Sequence, residues 1–145
     1  VLVDDGSDAK QIKRIVDAAR RAKATVKIVA PKIGGAAMAD GSVLPADGQL
    51  AGTPSVVFDA VAVIVNNSAA ARLAKDGAAC DFVRHAFGHL KAIAFSEDAK
   101  SLLEACGIKP AQHDEGVVPA DEVDRFITAA STRQWDREAK THELA

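Results

Sequence analysis

Apolar and polar positions alternate along this chain in blocks that read as strand, helix, strand. Val1–Asp4 is a short apolar run that passes into the turn-forming Asp5-Gly6-Ser7, predicting a first strand and its exit loop. From Asp8 onward Ile12, Ile15, Val16 and Ala19 share one helical face, while Lys10, Lys13, Arg14, Asp17 and Arg21 occupy the other. That is an amphipathic helix. Val26–Ala30 is a β-branched second strand ended by Pro31, so the first three elements form a βαβ unit with a right-handed crossover. Pro31–Pro54 breaks the rhythm: it holds half of the glycines (Gly34, Gly35, Gly41, Gly48 and Gly52) and predicts an irregular arm or small β-excursion.

The rhythm resumes with Ala60–Val65, an unbroken apolar run expected of a central strand covered on both faces. Asn66-Asn67-Ser68 closes it. A broken helical region follows, then a helix from about Asp76 to Leu90 with Phe82, Val83, Ala86, Phe87 and Leu90 on one face. Ala92–Phe95 is the next buried strand. Ser96 opens a helix that aligns Ala99, Leu102, Leu103 and Cys106 and ends at Gly107. Val117-Val118 reads as a short last strand, and Pro119 as the start of a helix with Asp121 and Glu122 in its first turn. Thr132–Ala145 is charged apart from Trp135 and Leu144 and predicts an extended or frayed tail. The whole pattern predicts a doubly wound, mostly parallel α/β sheet with helices on both faces, flavodoxin-like in outline. Residues 1–132 form a single domain in this reading, and 133–145 a charged C-terminal tail.

Composition narrows the function classes. The 145 residues carry 18 Lys+Arg against 20 Asp+Glu, and this net charge of −2 lacks the basic excess that a nucleic-acid partner requires. No apolar run is long enough to span a membrane. Two cysteines without CxxC spacing predict core-filling thiols that label slowly, in a reducing, cytoplasmic compartment. The absence of tyrosine excludes chemistry built on a tyrosine ligand, acid or radical. Val1 is not a start methionine and opens inside a strand, which predicts a fragment or a processed product.

In doubly wound folds, chemistry gathers at the carboxyl ends of the strands. Asp4 and Asp5 follow the first strand and could hold Mg²⁺, as in a phosphoacceptor receiver domain. That reading needs an acceptor aspartate where the chain has Asn66 and Asn67, and a lysine where it has Ser96-Glu97, so loop acids are preferred. The same acids disfavour a phosphate loop, and no suitably spaced helix follows Gly34-Gly35. Ser96 stands at the strand-to-helix junction where a nucleophile elbow would place it, with His113-Asp114 downstream as base and orienting acid. Ser96 and His113 are the candidate catalytic residues. Elbow glycines are missing, however, and Ser96-Glu97-Asp98 also suits a helix N-cap and first turn. Asp81, His85 and His89 form an i, i+4, i+8 stripe that could bind zinc but flanks the apolar face, as a solvated edge would. No metal or cofactor-binding residues are assigned.

One arrangement is more specific. Ala39-Asp40-Gly41-Ser42-Val43-Leu44-Pro45-Ala46 and Leu50-Ala51-Gly52-Thr53-Pro54-Ser55-Val56-Val57-Phe58-Asp59-Ala60-Val61, then His89–Ala94, Gly116-Val117-Val118 and a tail with Trp135, resemble the C-terminal domain of large-subunit haem catalases. That domain looks like the class I glutamine amidotransferase and ThiJ/PfpI superfamily, whose free-standing members carry a cysteine on an elbow. At the matching position this chain has Ser96. The resemblance implies a non-catalytic module of a homotetrameric parent, whose separate β-barrel core holds haem on a proximal tyrosine and dismutates hydrogen peroxide. The module's implied roles are subunit stability, access to channels, or chaperone-like activity, with the core as partner through the Pro31–Pro54 arm and the Trp135 tail. The alternative is a free-standing ThiJ/PfpI-like hydrolase or chaperone using Ser96 and His113.

Overall fold

The computed structural model describes residues 1–141. Strand β1 (Leu2–Val3) leads to α1 (Ala9–Arg21), whose N-terminus is capped by the Asp8 carboxylate accepting from the Lys10 and Gln11 N–H groups. Next come β2 (Val29–Ala30), a hairpin of β3 (Ala36–Ala37) and β4 (Val43–Leu44), and β5 (Gly48–Gln49). After two 3₁₀ turns the chain forms β6 (Ala60–Ile64), α2 (Asn67–Leu73), α3 (Gly77–Gly88) and β7 (Ala92–Phe95). A 3₁₀ turn then leads into α4 (Lys100–Ala105), followed by β8 (Val117–Pro119), α5 (Val123–Ala130) and α6 (Glu138–Thr141). The six-stranded sheet has the order β5-β2-β1-β6-β7-β8, every pair parallel.

The period-two alternation of strand side chains divides the core into two layers. Leu2, Val61, Val63, Ile93 and Phe95 project to the face covered by α2, α3 and α4, where Phe82, Phe87, Leu102 and Leu103 meet them. Val3, Ala62, Ile64, Ala92 and Ala94 project to the other face, against Ile12 and Ile15 of α1 and Phe126 of α5. Both faces are covered, so β6 and β7 are apolar at nearly every position. α4 ends in a Schellman motif: Gly107 takes φ +95, its N–H reaches Glu104 O at 3.0 Å, and Ile108 N–H reaches Leu103 O at 2.9 Å.

Four local expectations are corrected. The arm does more than wander, because β5 extends the main sheet beside β2, with Val29 opposite Gly48. Pro119 ends β8 instead of opening a helix; α5 starts at Val123, and Asp121 accepts from Gln11 Nε2 and Arg14, tying the α5 approach to α1. In place of a frayed tail, residues 135–141 form a 3₁₀ turn and α6, held by the buried Arg137; Leu144 lies outside the described residues. Finally, Cys80 of α3 and Cys106 at the end of α4 are not free thiols. The packing of the two helices brings their Cα atoms to 5.0 Å, and the sulfurs are joined in a disulfide. Their 26-residue separation gives no hint of this, since the pairing is decided by how two non-adjacent helices meet.

Candidate functional site

The sheet reverses its winding between β1 and β6, so the crevice at their carboxyl ends is where a doubly wound fold would bind a ligand. Here that crevice is filled by the chain's own polar groups. Ser7 Oγ, fully buried, donates to the carbonyl of Asp4 or Ile64, each 2.7 Å away, and accepts from Asp4 N–H at 3.0 Å. Gly6 packs against Asn66 so closely, at φ +85, that a Cβ there would lie 2.1 Å from Asn66 Nδ2. Asn66 itself caps α2 by accepting from Ala69 N–H at 2.8 Å. Asp4 is buried and takes a 2.9 Å hydrogen bond from Arg72, while Asp5 pairs with Lys32 and accepts from Ala37 N–H. The Lys32 bond, seconded by the Ala37 N–H, holds Asp5 below the usual carboxylate range. Both acids are therefore committed to cations and backbone groups of the fold.

Ser96 repeats the same device one strand further on. Its Oγ donates to Val65 O at 2.7 Å and accepts from Val65 N–H at 3.1 Å, joining the end of β7 to the end of β6. The residue occupies the N-cap position of the 3₁₀ turn Glu97–Ala99, yet its side chain makes no cap bond. The side-chain cap that the sequence favours over a nucleophile is not formed. Its backbone is extended (φ −67, ψ 155), and the non-glycine residues with positive φ among those described are Lys23 and Leu90, neither of them at this junction. A strained elbow is absent among the described residues.

His113 comes near through its ring alone: it packs on Phe95 at 5.4 Å between centroids, tilted by 59°. Its Nε2 is buried without a hydrogen-bond partner, so it does not bond Ser96. Burial holds the imidazole below its ordinary pKa. Asp114 does not orient it either. That carboxylate receives Arg137 Nε at 2.7 Å, Arg137 Nη2 at 2.8 Å and Gly116 N–H at 2.9 Å. Burial alone would raise the Asp114 pKa, but the Arg137 pair outweighs it and leaves the group lowered. Ser96, His113 and Asp114 thus each bond elsewhere or not at all and form no relay. Asp81, His85 and His89 are exposed along α3, and among the described residues no three His, Cys, Asp or Glu side chains converge on a metal position.

Two buried cations escaped the sequence reading. Lys91 is 2% exposed, and its ammonium donates to Ser55 O at 2.8 Å and Val56 O at 2.7 Å, with burial lowering its pKa. Arg137, besides its grip on Asp114, lies 4.3 Å over the Phe87 ring and donates to Lys91 O at 2.7 Å. Lys91 sits at the mouth of the apolar run Ala92–Phe95, a weak signal of burial; nothing local marks Arg137.

A family model describing the C-terminal domain found in long catalases matches residues 1–138. The chain belongs to this family. Catalase C of Rhizobium meliloti (strain 1021) is 35% identical over 142 residues, which cover 95% of this chain and 20% of that protein. Catalase HPII of Pseudomonas putida is 32% identical over 143 residues, covering 96% and 19%. This catalase C-terminal domain therefore spans about one fifth of the length of those relatives. Its fold is that of DJ-1 proteins. Oxidized Toxoplasma gondii DJ-1 superposes with a TM-score of 0.71 at 17% identity, over 98% of this chain and 95% of that one. A mutant of a Salmonella typhimurium DJ-1 superfamily protein gives 0.70 at 19% identity, over 99% and 94%.

A haem iron takes its protein ligands from His, Cys, Met and Tyr side chains. The chain has no tyrosine, and its open groove of about 880 Å³, at the amino ends of the strands, is lined by no His, Cys or Met.

Proposed function

We propose that this domain performs no chemistry of its own and acts as an appended module of a haem catalase, chiefly stabilising the subunit that carries it. The parent dismutates hydrogen peroxide in a separate haem core and assembles as a homotetramer; shaping access to its channels and a chaperone-like activity are subsidiary roles. The observation that carries this reading is the Ser96 hydroxyl, buried and engaged on both sides by Val65 at the position where a DJ-1-like enzyme would present its nucleophile. A free-standing hydrolase built on Ser96 and His113 is disfavoured by the same bonds. The core domain is the proposed partner, met through Ile33 and Val43 of the arm and Trp135 of the tail, which are 81%, 68% and 68% exposed. Neither nucleic acid nor membrane is a proposed partner; no helix among the described residues is long and apolar enough to cross a membrane.

A cytoplasmic location belongs to the same proposal and rests on the likeness to bacterial catalases. The cysteine argument drops out, because a paired Cys80–Cys106 is not what a reducing compartment favours. Comparing the full-length enzyme with a form ending before Val1 tests the function. Equal peroxide turnover per haem with earlier thermal inactivation is expected. Loss of turnover in a truncated enzyme that is still folded and haem-loaded would overturn the proposal.

A further inference from the structure

Cys80 and Cys106 carry chemistry that the strand-end crevice does not use. Their side chains meet between α3 and α4, with Cys106 fully buried and Cys80 9% exposed, so the approach from solvent is to the Cys80 sulfur. Other contacts also hold these helices together. Arg84, one turn beyond Cys80 on α3, donates from Nε to Cys106 O at 2.8 Å, and Phe82 and Val83 share a buried apolar cluster with Leu102, Leu103 and Ile108. Opening the sulfur linkage therefore leaves both thiols in place to close again. The setting favours a thiolate at Cys80. It is the fourth residue of α3, near the positive end of that helix, and the Arg84 guanidinium stands one turn away. Of the acids close in sequence, Asp76 accepts from Ala78 N–H and Asp81 is exposed. The loop that the pair closes, 26 residues in separation, carries the interior strand β7 and Ser96.

We infer that Cys80 and Cys106 are a reversible thiol pair that hydrogen peroxide closes and a dithiol reductant opens, so that the domain is stabilised when peroxide is abundant. This rests on the proposal that the parent enzyme handles hydrogen peroxide. The Cys80 thiolate attacks one peroxide oxygen, the O–O bond breaks, and the departing hydroxide takes up the proton that the Cys80 thiol released, giving the first water. Cys80 is then a sulfenic acid. The Cys106 sulfur, having lost its own proton, attacks the Cys80 sulfur and expels hydroxide, which takes up that proton as the second water. Two thiols and one hydrogen peroxide thus become one disulfide and two waters. In reverse, a dithiol attacks the more accessible Cys80 sulfur, releases the Cys106 thiolate and completes the exchange with its second thiol. Such a pair is compatible with a reducing compartment, because it stays closed only while peroxide forms the bond faster than dithiols open it. Closure ties α3 to α4 around β7 and removes from the unfolded chain the freedom of the enclosed loop.

The test starts from the 145-residue chain reduced with dithiothreitol, freed of it without air, and given one equivalent of hydrogen peroxide. The intact mass should fall by two hydrogens, both cysteines should become unreactive to maleimide in a denaturing quench, and the unfolding constant in urea should drop on the order of a hundredfold. Oxidation should run at least about tenfold faster in the folded chain than in the same chain unfolded in urea. Cys106→Ala should stop at a sulfenic acid that dimedone traps on Cys80, and Cys80→Ala should react no faster than the unfolded chain. If either variant fails to fold, the rate ratio of the unsubstituted chain decides. Slower oxidation in the folded chain, or a disulfide that dithiothreitol opens only in the presence of urea, would overturn the inference. A parent catalase equally stable without this domain, while the pair still opens and closes, would instead refute the functional proposal alone.

Discussion

Ser7 and Ser96 follow the two strands that flank β6, and each hydroxyl donates to the backbone of β6 or its extension, Ser7 to Ile64 O and Ser96 to Val65 O. Ser96→Ala strips two bonds from the buried Val65 backbone, and the expected cost is roughly 1–3 kcal/mol by urea unfolding. A serine-directed fluorophosphonate should leave the wild-type domain unlabelled. Arg137→Ala should be costlier, about 3–5 kcal/mol, because it leaves the Asp114 carboxylate partly buried and unpaired while removing the lid over Phe87. The pH dependence follows from two shifts of known direction. His113 is lowered by burial, so the unfolded chain takes up a proton that the folded one resists, and stability falls as pH drops below about 6.5. Asp114 is lowered by Arg137 against the opposing effect of burial, so its contribution is complete above about pH 4 and is lost as pH falls further. His113→Phe should flatten the first slope and Asp114→Asn the second, measured by chemical denaturation across the range. Ser96 and His113 were visible as polar residues at a strand end and beyond it. What each bonds was not, since Val65 and Phe95 are brought there by strand pairing and packing.

At the scale of elements, the helices announce themselves better than the short strands. Of the α1 face read from sequence, Ile12 and Ile15 are buried and Val16 and Ala19 half-buried, with Ala18 buried beside them, and Asp8 caps the helix. The β5 edge strand had no such signal, because Gly48-Gln49 is a strand only by virtue of lying beside β2. Pro119 reads as a helix opener in sequence, but it pairs opposite Phe95 on an edge strand, where a missing N–H is tolerated. The disulfide is also a property of two elements together. Closing a loop of this length contributes roughly 3 kcal/mol in the chain-entropy picture, so Cys80→Ser or treatment with a reductant should lower unfolding stability by about that amount. Intact-mass measurement should find the native domain two hydrogens lighter than its reduced form, and a maleimide should label neither cysteine until reduction.

For the whole molecule, the two core layers leave Ile33 and Val43 of the arm, Val56 and Val57 of the turn before β6, and Trp135 of the tail as large apolar side chains turned outward. Replacing Ile33 and Val43 by aspartate should leave the folding stability of the isolated domain within about 0.5 kcal/mol, as expected for exposed positions, while weakening its association with the catalase core in sedimentation. Equal association of the variant would place the docking face elsewhere. The sequence by itself determined the alternation of strand and helix, the burial of β6 and β7 on both faces and, through the residues around Ala39–Ala46 and Leu50–Val61, the family. These properties are written in local periodicity and in contiguous motifs. The tertiary structure alone decided that the strand-end crevice is closed by Ser7, Gly6 and Asn66, that Cys80 meets Cys106, and that Arg137 returns to lock Asp114. Each joins residues distant in sequence, and hydrogen bonds or sulfur linkages at such range depend on the relative placement of elements, which no local pattern encodes.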